Sequence, residues 1–330
     1  MEKYKKYMSN EVFTIGAFMV LFLIVVIVFQ SLNQSFLTPA SIINMLKTVS
    51  ATAIAGLGLT FVIIISHSDI SFYMSCCFSA MLMAWLIQQG FHPVIAILGG
   101  LIGGIFWGLI SGIAIGKFKL PDIISTIAIG SIAFGAAYIF SDGTFIYDNF
   151  MESGIRNLSE FNILGMPLPI YIMLGLYLMA YIILEKSKLG RDFYAVGANK
   201  KSAFFSGINV NRIIIAAFIV SSVLAAVSAM ISTAAQGNGN VKIGLNLLMP
   251  AFTSIYIGWS VFRRPCVIGT FLGALFTTMM TNGFIIINIP FYYGDLVIAL
   301  VLLFAILISK IEITSGLKLF KKQKVGGNAR

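Results

Sequence analysis

The sequence predicts an all-α, polytopic membrane protein with about ten transmembrane helices and both termini cytoplasmic, on three observations. Hydrophobic residues fill 58% of the 330 positions and charged residues only 10%, whereas a soluble domain carries about a quarter charged residues. The apolar residues collect in runs near the ~20 residues that cross a hydrocarbon core of about 30 Å. The basic residues fall almost entirely on one side of those runs. Ten spans consume roughly 200 residues, so no large soluble domain fits, and residues 1–330 are expected to form a single transmembrane domain.

The first run, 12–32, follows Lys3, Lys5 and Lys6 but is longer than a signal-peptide core, and Gln30-Ser31-Leu32-Asn33 offers no cleavage site. It reads as a retained helix. Spans at 43–65 and 72–90 are separated by the polar break Ser66 to Ser71. Span 93–116 holds the stripe Gly104, Gly108 and Gly112, small residues four apart that let a neighbouring backbone approach. Span 123–141 ends in the exterior loop 142–165, and span 166–184 ends in the longest cytoplasmic loop, 186–212. Runs at 212–235, 246–262, 266–288 and 292–309 complete the set, with Gly269 and Gly273 repeating the small-residue spacing. These stripes read as helix packers.

With residue 1 cytoplasmic, 19 of the 22 Lys and Arg lie inside, leaving only Lys47, Arg156 and Lys242 outside. The outer loop 142–165 carries Asp142, Asp148, Glu152 and Glu160. Such asymmetry fixes the orientation of a membrane protein. It also accounts for a pI near 9.5 without nucleic acid.

Little in the chain supports chemistry. Cys76, Cys77 and Cys266 form no CxxC, and His67 and His92 are the only histidines, so neither metal nor cofactor is expected. Ser66-His67-Ser68-Asp69 has the letters of a hydrolytic triad, but a triad is a spatial constellation and sequence neighbours are no evidence of one. No phosphate-binding loop occurs, since Gly197-Ala-Asn-Lys-Lys-Ser202 lacks the second glycine. Nor do the spans carry the carboxylates that ion-coupled carriers place near the midplane. Asp69 is the best acidic candidate, while Asp295 falls at the outer end of span ten. Irregular backbone near membrane depth survives where protein or a water-filled cavity covers it. Ser66, His67, Asp69, Ser71 and Tyr73 are therefore candidate substrate-pathway residues, with a tight cytoplasmic turn as the alternative.

In the loop 186–212, Asn199 can cap a short helix over Lys200 to Ser206, and Gly207 suits the left-handed position that ends it. Phe204 and Phe205 then face the cytosol as anchors for a partner's groove. The alternative is a helix laid on the membrane lipid with its Phe pair in the headgroups.

This loop resembles the permease subunits of bacterial ABC importers for ribose and related monosaccharides, the branch that includes autoinducer-2 importers. The pattern G-R-x-x-Y-A-x-G-x-N-x-x-A-A-x-x-S-G-I-x-V meets Gly190, Arg191, Tyr194, Ala195, Gly197, Asn199, Ala203, Ser206, Gly207, Ile208 and Val210. Phe36-Leu-Thr-Pro39, Gly58-Leu-Thr60 and the Gly116 to Thr126 turn extend the likeness to nearly the whole chain. It departs at Ser66 and His67, where the pattern G-G-I-D-L-S has glycines, at Phe72-Tyr73, where it continues V-G, and at Arg263 and Arg264, where glycines are also expected.

The resemblance implies a permease without its own ATPase site, in the inner membrane, that passes a monosaccharide or related polyol. Its implied partners are ABC ATPase subunits inside, a sugar-binding protein outside and a second permease, identical or not. It makes Gly190, Arg191, Asn199, Ala203, Phe204, Phe205, Ser206 and Gly207 the coupling site for the ATPase. The rival reading is an ion-coupled secondary transporter of a small polar solute, built around Asp69 and His67. Applied from outside, an impermeant thiol reagent is expected to label Ser153→Cys and to spare Ser202→Cys; the reverse pattern overturns the orientation.

Overall fold

The structure is a computed structural model that describes residues 2–290, 293, 294 and 296–306. Six of its α-helices begin where a side chain satisfies a free N–H group of the first turn. After α1 (Glu2–Leu32), Thr38 Oγ1 accepts from Ser41 N and Pro39 opens α2 (Pro39–Ile64). The cap explains why α2 starts earlier than its apolar run. After α3 (Ser71–Gln88), His92 Nδ1 accepts from Val94 N to start α4 (Pro93–Gly116), which is followed by α5 (Asp122–Ile139). The loop 142–165 contains a short α6 (Asn157–Glu160) and the start of an antiparallel hairpin, β1 (Asn162–Ile163) with β2 (Met166–Pro167). Its turn, Leu164-Gly165, has both residues at positive φ. Apolar periodicity predicts no element there.

The α7 helix (Leu168–Tyr181) widens into a π-turn (Ile182–Lys186) before α8 (Lys188–Ala198) and α9 (Lys200–Phe205). Asn209 caps α10 (Val210–Gln236), which Gly237 closes in the left-handed conformation. Then come α11 (Leu245–Phe262), α12 (Val267–Ile286), capped by Cys266 Sγ, and α13 (Leu296–Ile306). Among the described residues nine helical segments are long and apolar enough to cross a membrane. The tenth predicted span, 292–309, is represented by α13, while Asp295 and the basic C-terminal residues from Lys310 lie outside the described residues.

Hydrogen bonds between connections sort them into two ends. At one end Ser66 meets Gly197, His67 meets Asp122, Lys119 meets Asn211 and Arg264 meets Glu185. At the other Asn33 meets Ile286, Gln88 meets Asp148, and Ile146 pairs with Gly239. This alternation comes from spans that cross in turn, and it gathers the basic loops at the first end and the acidic loop 142–165 at the second.

α2 is the axis, with 89% of its apolar window buried against 11% for the peripheral α1. Close packing around it rests on glycine. A Cβ on Gly108 would lie 2.8 Å from Ile219 Cα and Phe218 O of α10, and Gly104 and Gly112 press on the same helix. A Cβ on Gly258 would come within 2.2 Å of the Gly269 carbonyl carbon, and Gly273 faces Ser254 in the same α11–α12 contact. Both predicted stripes are thus packing surfaces.

Two connections run into the bundle. From the basic end, Ser68 N donates to Asp122 Oδ2 (2.9 Å), Ile70 N donates to Thr126 Oγ1 (3.3 Å), and Ser71 packs beside Gly130. Eight residues of α5 at 1.5 Å each put the start of α3 roughly 12 Å inside. From the acidic end, Gly239 packs on Ala84 and Gly244 on Tyr73 and Cys77, so 239–244 descends along α3 by about 16 Å. The eighth span, expected to begin at the outer surface near 246, therefore starts at depth.

Gly258→Ala is expected to lower the thermal midpoint in detergent, since overpacking costs about 1–3 kcal/mol. Gly135→Ala, where nothing lies within 4 Å of the added methyl, should be neutral or stabilising by up to about 1 kcal/mol. Equal behaviour of the two would deny that the α11–α12 contact needs glycine.

Candidate functional site

α8 and α9 form a bracket at the basic end. Phe193 of α8 stacks edge-on against Phe61 of α2 at 5.7 Å. Gly190 and Gly197 bring the α8 backbone against the bundle. A Cβ on the first would lie 2.0 Å from Leu184 O, and on the second 1.9 Å from Ile64 O. Tyr194 Oη donates to Glu185 Oε1 (2.9 Å), while Arg264 donates to Glu185 Oε2 (3.0 Å) and lies over the Tyr194 ring. Burial, then the Glu185 charge, pushes the Tyr194 hydroxyl well above its ordinary value, so it remains a donor. This clasp gives a reason for the arginine pair where the resembled pattern has glycine. Arg263 adopts the left-handed conformation (φ 57°) and Arg264 neutralises Glu185.

α9 has the expected caps. Asn199 Oδ1 accepts from Ser202 N at 3.0 Å, and Gly207 stands at φ 81°. Ala203 is buried and Arg191 exposed, whereas Phe204 and Phe205 are 66% and 84% exposed with their rings edge-to-face. Ser206 Oγ closes the last turn by donating to Ser202 O.

The five pathway candidates do not converge. Ser66 and His67 turn toward the bracket: Ser66 Oγ donates to Gly197 O (3.0 Å), and His67 lies between Asp122 and Lys200. Asp69 and Ser71 are fully buried. Ser71 Oγ and Ser221 Oγ of α10 donate to the Asp69 carboxylate at 2.6 and 2.8 Å, and Ser111 of α4 lies 3.3 Å from Ser71 Oγ. Tyr73 packs against Phe72 and the descending segment at Gly244, apart from Asp69. Sequence reasoning missed Asp122, Thr126, Lys200, Ser111 and Ser221 as partners of the break. Only Asp122, an acid in a basic turn, carried a local signal. Among the described residues no three His, Cys, Asp or Glu gather as a metal site, and all three cysteines are buried.

A multi-span helical bundle with broken connections covered by protein is an architecture that a membrane permease can use. The chain belongs to the family of the branched-chain amino acid transport system / permease component, which it matches over residues 41–306. It is similar to the ribose import permease protein of Bacillus subtilis (strain 168), 30% identical over 298 residues, 90% of this chain and 92% of the relative. It is also similar to the D-allose transport system permease protein of Escherichia coli (strain K12), 31% identical over 297 residues, covering 87% and 90%. The autoinducer 2 import system permease protein of Salmonella choleraesuis is 26% identical over 275 residues, covering 83% and 79%. At such identities the chain is a divergent member.

Asp69→Asn keeps the shape of the carboxylate and an acceptor for the serine hydroxyls, so assembly and transport are expected to persist. Asp69→Leu removes the acceptor of both hydroxyls and leaves Ser221 Oγ unpaired, at about 1–3 kcal/mol, while Ser71 Oγ keeps only Ser111; it should lower the yield of folded protein. Full loss of transport in Asp69→Asn with normal folding would instead make the charge itself essential.

Proposed function

We propose that the chain is the permease subunit of an ATP-driven importer, half of a two-permease pore in the cytoplasmic (inner) membrane, that moves a monosaccharide or related polyol toward its basic, cytoplasmic end. The observation that carries this reading is α9, a capped helix that leaves Phe204 and Phe205 in water while its neighbour α8 is seated on the bundle through Gly190 and Gly197. An exposed aromatic pair on a rigid mount suits a pocket in a partner, and in this reading that partner is the importer's ATPase. The ribose and allose relatives favour sugar as cargo. In this reading the acidic loop 142–165 faces the sugar-binding protein, and the chain performs no covalent chemistry.

Phe204→Ala with Phe205→Ala should leave the protein inserted but separate it from the ATPase. Removing a buried interface aromatic costs about 2 kcal/mol or more, which is ~30-fold in affinity for each. Co-purification of the double variant with ATPase at wild-type yield, with wild-type transport, would refute the assignment of α9. Transport that needs a proton or sodium gradient and no ATP would replace the importer with the secondary transporter.

A further inference from the structure

We propose that His67 is a positioning residue, a two-sided hydrogen-bonded link through which α9 holds the break between α2 and α3. The proposal rests on α9 being the helix that receives the ATPase. The resembled pattern has glycine at this position, so the link belongs to this chain's own residues.

The geometry assigns the imidazole one state. Lys200, the first residue of α9, has its Nζ 2.8 Å from His67 Nε2. An ammonium group only donates, so Nε2 must offer its lone pair and the ring hydrogen sits on Nδ1. That nitrogen lies 3.2 Å from Asp122 Oδ2, the oxygen that also accepts from Ser68 N. The Phe218 ring meets the imidazole edge-on at 6.2 Å and holds its plane. Only neutral His67 makes both bonds. A second proton would put N–H against N–H between two cations and break the contact with α9.

The link reaches further than its own contacts. Ser66 Oγ ties the same break to Gly197 O, where the missing Cβ lets α8 touch Ile64. Two residues beyond His67, Asp69 is bonded to Ser71 at the start of α3 and to Ser221 of α10. A displacement of α9 is thus delivered through a six-residue segment to two central helices.

The charges that face His67 are Lys200 from α9, Asp122 from α5 and Lys119 from the turn before α5, while Asp69 is turned away toward its serines. Burial, then Lys200, lowers the His67 pKa, and Asp122 opposes them. The linked state therefore favours the neutral ring. The link is complete above the ordinary histidine value of about 6.5 and weakens as pH falls toward the lowered value.

Two measurements test this. The chain has two histidines, so the purified permease labelled with 13C-histidine gives two histidine signals, and His67→Gln identifies the one from His67. That signal is expected to titrate below the ordinary histidine value of about 6.5 and to move up in Lys200→Met. In the complex with its ATPase, hydrolysis without added sugar should fall several-fold more in wild type than in His67→Gln as the pH is lowered from 7.5 through the titration measured for His67. His67→Ala should lose activity at every pH, and His67→Gln should restore most of it at pH 7.5. An ordinary titration unmoved by Lys200→Met, or one shared pH profile for wild type and His67→Gln, overturns the proposal. A wild-type complex that hydrolyses no ATP would refute the importer reading, while the histidine titration still decides the link.

Discussion

A carboxylate closed off from bulk solvent is the constraint around which this bundle is arranged. Asp69 is fully buried, and its oxygens are met by Ser71 and Ser221. A charge so placed is costly unless hydrogen-bonded. The consequence is geometric. The chain between α2 and α3 must enter the bundle far enough to reach Ser221, eleven residues into α10, and its backbone N–H groups must be met there. Asp122 and Thr126 meet two of them from α5. The depth of α3, the position of α5 and the register of α10 are therefore set together.

The second inward connection buries no charge, since its Lys242 is exposed. The 239–244 segment descends on the other side of α3 because Gly239 and Gly244 leave room for it, the latter against Tyr73 O and Cys77 Sγ. α3 is thus bordered by irregular chain at both ends, each time covered by protein. Close approach elsewhere is equally a matter of missing side chains, as at Gly258 on Gly269 and Gly197 on Ile64. With little hydrophobic drive between helices in lipid, such contacts and buried hydroxyl bonds carry association. The hydroxyl bonds here include Thr60 with Thr270 at 2.7 Å and Ser228 to Ala51 O at 2.7 Å.

What the sequence made legible is local. Apolar runs located the spans, and the loops they bound collect at two ends of opposite charge. Asn199 and Gly207 delimited α9 because capping is a matter of a few adjacent residues. The polar break at 66–71 was visible as polarity, but its partner Ser221 is one hydroxyl among several in α10 and had no distinguishing neighbours. Gly237-Asn-Gly-Asn240 reads as an ordinary turn, and only packing against α3 sends residues 241–244 inward. Tyr73 follows Asp69 by four positions but is the third residue of α3, and within that first turn the helix points it away from Ser71. The Arg264 to Glu185 pair spans 79 positions that periodicity cannot connect.

The same separation governs synthesis. Ser221 lies 152 positions after Asp69, which at about 5–20 residues per second is a delay of ~8–30 s after the carboxylate has left the ribosome. During that interval Ser71 is its nearest hydroxyl, and α2, the most buried helix of the finished protein, has no α10 to cover it. The nascent α2–α3 hairpin therefore passes through that interval with its α10-facing surface uncovered, until the seventh span arrives.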